Sequence, residues 1–409
     1  MTESNSEKEK VLVLLTEFFP AANKDIFLKH DYTLLASSYK HVHVFPITDS
    51  SNQHPDLPEN MIIHKPLAKM THHQGMWNMT NSLLLAKLLL SEIRYTTNKL
   101  AVLKNARYHL AEIKSAIRLE SALHFWTKKY KTTSLTFHAS FMNIHALVLA
   151  IAKYKKHIKQ YSFRINGYEI FNERWVNGYL PYEHFIYQQA KIIIVNSNHS
   201  YNYKTSYCPF PEKLAMSYYS IPKQELAPFD PHSIFTIVSC ASVIPIKRVH
   251  LIAEAVTKLP FETKWIHFGD GENMPEIKEI MTKSPQHINI ELKGTTDNTD
   301  IISFYKSNTV HLFVHTSESE GLCYALMEAQ SFGIPTLACG AGGINDFVSD
   351  SNGRLLPINI DATILAQEIN NFKLSSKNRY EFRLKLQKAF NTKFDNNEIK
   401  KKLSDQINS

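Results

Sequence analysis

The chain has 409 residues, enough for two domains of ordinary size and too many for one small core. Its composition, 44% hydrophobic and 11% aromatic with 12 glycines, excludes a collagen-like or low-complexity array. The net charge of +8 is the one general signal toward nucleic acid; no helix-turn-helix or single-strand-binding pattern accompanies it, so no nucleic-acid partner is expected.

In chain order, a polar opening, Met1 to Lys10, precedes the apolar run Val11 to Leu15, which is too short for a signal-peptide core. A cytoplasmic protein is expected. Runs that read as strands recur at Val42–Ile47, Leu135–Phe137 and Ile192–Val195, each followed by a polar loop and a helix-period stretch. The apolar stretch Ser82 to Leu90 is interrupted by Lys87 and falls short of the ~20 residues that cross a bilayer. From Lys87 to Lys131 ten Lys or Arg stand against three Glu, so this segment carries most of the charge excess. Within it Leu103, Ala106, Leu110, Ile113 and Ile117 fall on one face of a predicted helix, with Lys104, Arg107, Lys114 and Arg118 largely elsewhere. With Tyr108, Phe125, Trp126 and Tyr130 beside them, these cations are expected to suit an anionic membrane surface.

The three prolines between Ser220 and Pro231 break helix and strand, which predicts a domain of residues 1–219, a linker at 220–232 and a second domain at 233–376. In the second half strands are expected at Phe235–Cys240, Lys264–Phe268, His311–His315 and Thr336–Ala338. Residues 377–409 read as a polar helical tail, expected to cross back to the first domain. Alternating strands and helices imply parallel sheets, which bind ligands at the carboxyl ends of their strands. The four cysteines form no CxxC pair and have no His-x3-His partner, so neither zinc nor a disulfide framework is suggested.

Two strand-to-helix loops carry the chemistry. The first, Ala241 to Ala255, places Lys247 and Arg248 after Pro245. The second, Thr316 to Gly343, has Glu320 and Glu328 with seven residues between them, then Ser331 to Pro335 and the pair Gly342-Gly343. Gly321 is expected to open a helix whose free N–H groups and positive dipole end favour an anion such as a diphosphate. Glu328 is expected about two turns into it.

This second segment closely resembles the signature of family 4 retaining glycosyltransferases of the polysaccharide-building type. The resemblance implies an α/β protein of the GT-B fold, with two Rossmann-like parallel-sheet domains facing across a cleft. It implies a donor site of Lys247, Arg248, Glu320, Gly321, Leu322, Cys323 and Glu328, with Glu320 and Lys247 catalytic. Glu320 would reach the donor sugar hydroxyls, Glu328 the ribose hydroxyls and Lys247 the diphosphate. The family often has Gly at Cys323, Pro at Ala325 and Arg at Ser242; Arg248 is expected to compensate for the last. Gly269, in the loop after Lys264–Phe268, is a further candidate near the nucleotide. In the first half Phe163 to Arg174 resembles Arg-x-His-x-Tyr-Asp of such enzymes, with Arg164 and Tyr168 matching, Asn166 at the usual His and Glu169 at the usual Asp.

The activity implied is transfer, with retention, of a sugar from a nucleotide-diphosphate sugar, expected to be a UDP-sugar, to a hydroxyl of a growing or lipid-linked glycan. The nucleotide sugar is a co-substrate; no metal and no other cofactor is expected. The enzyme is expected on the cytoplasmic face of the membrane. The alternatives are a GT-B epimerase or phosphorylase, and a catalytically inert nucleotide-sugar-binding partner subunit, the latter prompted by Ser242 and Asn166.

Overall fold

A computed structural model describes residues 10–21, 25–47, 56–70, 79–96, 98–130, 134–175, 179–375 and 378–409. The chain forms two compact units, Met1–Tyr219 with Asn397–Ser409, and Ser220–Asn396.

In unit 1 the elements are β1 (Val11–Thr16), α1 (Ile26–Ala36), β2 (His41–Pro46), β3 (Met61–Ile63), α2 (Met79–Tyr95), α3 (Lys99–Lys104), α4 (Ala106–Lys129), β4 (Leu135–Ala139), α5 (Ile144–Tyr154), β5 (Ser162–Arg164), α6 (Glu183–Gln189), β6 (Ile192–Val195), α7 (Asn198–Tyr207) and β7 (Leu214–Met216). The seven strands pair in parallel in the order β3-β2-β1-β4-β5-β6-β7. Every residue of β1 is buried, which is why its sequence is a continuous apolar run rather than an alternation. Side-chain caps start the covering helices: Asn143 accepts from the N–H of His145 before α5, and Ser197 from that of Ser200 before α7.

Unit 2 comprises β8 (Phe235–Cys240), α8 (Val249–Thr257), β9 (Thr263–Phe268), α9 (Met274–Thr282), β10 (Ile288–Gly294), α10 (Asn298–Ser307), β11 (Leu312–His315), α11 (Tyr324–Ser331), β12 (Thr336–Cys339), β13 (Gly353–Leu356), α12 (Ala362–Leu374) and α13 (Tyr380–Lys393). Its six strands are parallel in the order β10-β9-β8-β11-β12-β13. The strand order reverses between β8 and β11, and the loops leaving the carboxyl ends of these two neighbours are the Lys247 and Glu320 loops. Such a reversal is where an open parallel sheet leaves a crevice for a ligand.

The tail is two helices. In α13, Leu386 and Phe390 are buried, and Arg383 Nη1 donates to the Val310 carbonyl at 2.7 Å, within unit 2. The last helix, α14 (Asn396–Asn408), buries Ile399, Leu403 and Ile407, a stripe of period four. It lies on unit 1, where Gln406 Nε2 donates to the Met216 carbonyl at 3.1 Å.

Three expectations are corrected. The segment from Leu103 to Ile117 is not one helix: Asn105 ends α3 and begins α4, leaving Leu103 58% exposed while Ile113 and Ile117 are buried. The stripe that packs inward is set by the phase of α4 alone, and it includes His109 and Leu123. Trp126 is no surface aromatic either; it is buried in the unit 1 core against His43, Phe45 and Tyr130. Finally, α11 starts at Tyr324, three residues beyond Gly321, so Glu328 lies just over one turn into the helix rather than two.

Candidate active site

After β8 the chain is held against the next loop by Val243, whose N–H donates to the Asp270 carbonyl at 3.0 Å. Pro245 to Lys247 form a 3-10 turn, and Arg248 takes a left-handed backbone, φ 49°, to start α8. Backbone strain of this kind persists only where surrounding contacts hold it. Those contacts come from the loop after β11. Thr316 Oγ1 donates toward the carbonyls of Lys247 and Arg248 at 3.0 and 2.9 Å, and the Glu318 N–H donates to the Ile246 carbonyl at 2.9 Å. The two loops are thereby one rigid body.

Glu320 is at its centre. Its Oε1 accepts from Lys247 Nζ at 2.5 Å and from His315 Nε2 at 2.8 Å. Burial by itself would raise the Glu320 carboxyl; the His315 hydrogen bond and the Lys247 charge overcome it and hold the group down at about 2. Burial also opposes protonation of His315, yet the Cys323 sulfur, 3.5 Å from Nε2, and the Glu320 carboxylate hold the imidazole up at about 9. The carboxylate is thus fixed in its ionised form between two cations.

The backbone beneath Glu320 rests on the glycine turn. Gly342 has φ +55°, and a Cβ on it would come within 1.8 Å of the Glu320 carbonyl oxygen. The Gly343 N–H donates to that same oxygen at 3.2 Å. Gly269 plays a comparable part on the other side, because a Cβ there would lie 1.9 Å from the Ala241 carbonyl oxygen. Ser242, next in that loop, is exposed.

Glu328 is buried on α11 and accepts from Asn298 Nδ2 at 2.6 Å. Burial pushes its carboxyl up to about 7, against the lowering effect of Asn298. Cys240, at the end of β8, lies within electrostatic range of Glu328, Cys323 and Lys247, so all of them share one neighbourhood. Gly321, Leu322 and Cys323 are buried between the two glutamates in sequence.

Arg248 is committed to its surroundings: Nε donates to the Thr316 carbonyl at 2.9 Å, Nη2 reaches Cys339 Sγ at 3.5 Å, and Glu318 lies at 3.6 Å. In unit 1, Arg164 is buried, paired with Asp31 at 2.5 Å and placed over the Tyr219 ring. Asn166 Nδ2 donates to the Ser140 carbonyl at 2.9 Å, its Oδ1 accepts from the Tyr219 hydroxyl, and its N–H donates to Glu169. Asn166 thus ties the loop after β5 to the carboxyl end of β4, and Arg164 ties the end of β5 to α1. The side chain of Tyr168 lies outside the described residues.

Sequence reasoning missed His315 and Asn298. The signal for His315 was its place as the last residue of a strand, five positions before Glu320. Among the described residues His315, Glu320 and Cys323 also form a group able to hold a metal ion, their ligand atoms all within 4.8 Å. Lys247 already sits on the same Glu320 oxygen, and an ammonium there opposes a second cation.

Residues 229–389 match the family described as Glycosyl transferases group 1. The chain is 33% identical over 109 residues to the sulfoquinovosyl transferase SQD2 of Arabidopsis thaliana, covering 26% of this chain and 20% of that protein. It is 36% identical over 91 residues to the GDP-mannose-dependent alpha-mannosyltransferase of Corynebacterium glutamicum, covering 22% of this chain and 20% of that one. The matched stretch thus spans about a fifth of the length of these curated relatives. In structure the chain is similar to Anabaena Alr3699/HepE in complex with UDP-glucose, with a TM-score of 0.65, 15% identity, and coverage of 97% of this chain and 99% of that one. Two parallel α/β sheets with this likeness define a protein of the GT-B fold. Within that fold, residues 229–389 of unit 2 are the part similar to glycosyl transferases group 1.

Proposed function

We propose that the protein is a retaining glycosyltransferase that moves a sugar from a UDP-sugar to a hydroxyl of a growing or lipid-linked glycan. The observation that carries this reading is the Glu320 carboxylate, held ionised by Lys247 and His315 at the reversal point of the unit 2 sheet. The names of the relatives, two of them transferases, and the UDP-glucose held by the Anabaena protein support it. The bond from the anomeric carbon to the diphosphate oxygen breaks while the acceptor oxygen bonds on the same face. The acceptor proton passes to the departing diphosphate. Lys247, with the N–H groups at the start of α11, neutralises that diphosphate without a metal, since fixed donors aimed at developing charge need no reorganisation. Arg248 supports the same task by holding the Thr316 loop. Glu320 meets the sugar hydroxyls and Glu328 those of the ribose. Turnover of a UDP-, GDP-, ADP- or TDP-sugar with glycan acceptors is the direct test. Absence of both turnover and binding with all four overturns the reading, and binding without turnover favours an inert subunit. Product formed without acceptor favours an epimerase.

Glu328→Ala is expected to raise the donor KM with kcat nearly unchanged, because ribose contacts are alike in ground and transition states. Steady-state kinetics with varied donor check this; a lower kcat at unchanged KM would mean that the two glutamates have exchanged roles.

The acceptor side suggests the membrane surface. No helix among the described residues is long and apolar enough to cross a bilayer. Lys104, Arg107, Lys114 and Arg118 are all exposed, beside exposed Leu100, Leu103 and Tyr108. Basic side chains near an anionic leaflet gain about 1 kcal/mol each, a gain that salt screens. Co-sedimentation is therefore expected with anionic but not neutral liposomes, and it should fall in high salt and when the four cations are replaced by Gln. Equal partitioning to both liposomes, or to neither, excludes this role.

A further inference from the structure

Unit 1 contains a cavity of about 290 Å³ that the proposed transfer does not use, lined by Glu92, Tyr95, Tyr179, Glu183, His184 and Tyr207 among others. Its aromatic walls are ordered: the rings of Tyr95 and His184 lie parallel with centroids 3.4 Å apart. Tyr207 stays 64% exposed, so its ring surface is left for a ligand, whereas the Tyr95 ring already carries Arg94 at 5.3 Å.

The carboxylates are the unusual part. Glu92 lines the cavity at 5% exposure, and its hydrogen-bond partner is the backbone N–H of Tyr182. Glu92 is within electrostatic range of both Glu183 and Glu112, and Glu112 has a buried Oε2 with no hydrogen-bond partner. Among the described residues neither Glu92 nor Glu112 has a salt bridge; Glu183 alone has one, from Lys204 at 2.8 Å. Glu183 is thus already neutralised, and Glu92 is the lining carboxyl with no cation of its own. Burial accordingly pushes the Glu92 carboxyl up to about 7, the behaviour of an acid that lacks a counter-cation.

A cation completes such a site, and the electron-rich faces of tyrosines favour the same charge. The volume is at the lower end of the roughly 300–1,000 Å³ of ligand pockets, which suits one sugar unit or a headgroup rather than an oligosaccharide.

We propose that this cavity binds a small polar ligand carrying a primary ammonium group, with the ammonium at Glu92 and the body of the ligand against Tyr179 and Tyr207. An amino sugar and an ethanolamine headgroup share that chemistry. The site goes beyond the donor chemistry of unit 2 and stands or falls separately from it.

The test is calorimetric titration of the full chain with glucosamine and with phosphoethanolamine, using N-acetylglucosamine and glucose as amine-free controls. At least one amine should bind, and the stronger of the two identifies the source. Glu92→Gln, which keeps shape and removes charge, should weaken that binding at least about tenfold, the scale of one charge-assisted contact. Tyr207→Ala, at an exposed ring, should weaken it several-fold with an unchanged melting temperature. The proposal is overturned if neither amine binds, if N-acetylglucosamine binds as well as glucosamine, or if Glu92→Gln binds as the parent does. Titration of UDP into the same samples reports on unit 2, so failure of the donor reading is seen separately.

Discussion

Glu320→Ala is expected to lower kcat by about two to three powers of ten while the donor dissociation constant changes far less. The reason is that its contact with the sugar strengthens as positive charge develops at the anomeric carbon. The geometry adds a complication, because Glu320 also neutralises Lys247 and His315. Removing it leaves two cations close together, which alone could disturb the loop. Glu320→Asp separates these effects: it keeps the charge that neutralises Lys247 and His315 but draws the carboxylate back from the sugar. Both variants should lose turnover, with similar melting temperatures for Asp and parent. Single-turnover kinetics with bound donor make the measurement, and near-normal rates in both would remove Glu320 from the chemistry.

Lys247→Ala should weaken binding of the donor, and of UDP itself, by about 1.5–3 kcal/mol, the usual worth of a charge-assisted hydrogen bond. That corresponds to a roughly ten- to hundredfold rise in Kd. Two contributions act in the same direction here. The ammonium no longer meets the diphosphate, and Glu320, 2.5 Å from it in the parent, loses a partner and repels the incoming anion. Arg248→Ala provides the contrast. Its guanidinium is tied to Thr316 and Cys339, so its loss should act through the loop and depress the melting temperature together with affinity. Calorimetry with UDP and a thermal melt of each variant decide the matter. An Arg248 variant that loses affinity at unchanged melting temperature would instead give that residue a direct phosphate contact.

The parallel sheets were legible because their central strands are buried on both faces. Phe235–Cys240 and Ile192–Val195 are read at their observed ends. Met61–Ile63, Ser162–Arg164 and Leu214–Met216 were not, since three residues carry no period and these strands exist through their neighbours. The loop pair bearing Lys247 and Glu320 could be found because glycine, proline and charge mark the ends of strands. Which charges meet was not legible. Arg164 and Asp31 are 133 positions apart, and only the pairing of β1 with β4 and β4 with β5 brings them together. Trp126 failed for a related reason: an aromatic near a basic helix face fits a lipid interface or a core equally well, and the phase of α4 chooses the core.

The return of α14 to unit 1 has a consequence for the order of assembly. Residues 220–396 are contiguous, and all of unit 2 is synthesised before residues 397–409 are made. Domains usually fold in the order of synthesis, first half first. Here the first half must wait with an uncovered apolar strip where Ile399, Leu403 and Ile407 later settle. The first-made unit therefore cannot close until residues 397–409 emerge, and throughout the synthesis of unit 2 its apolar strip stays open to wrong partners.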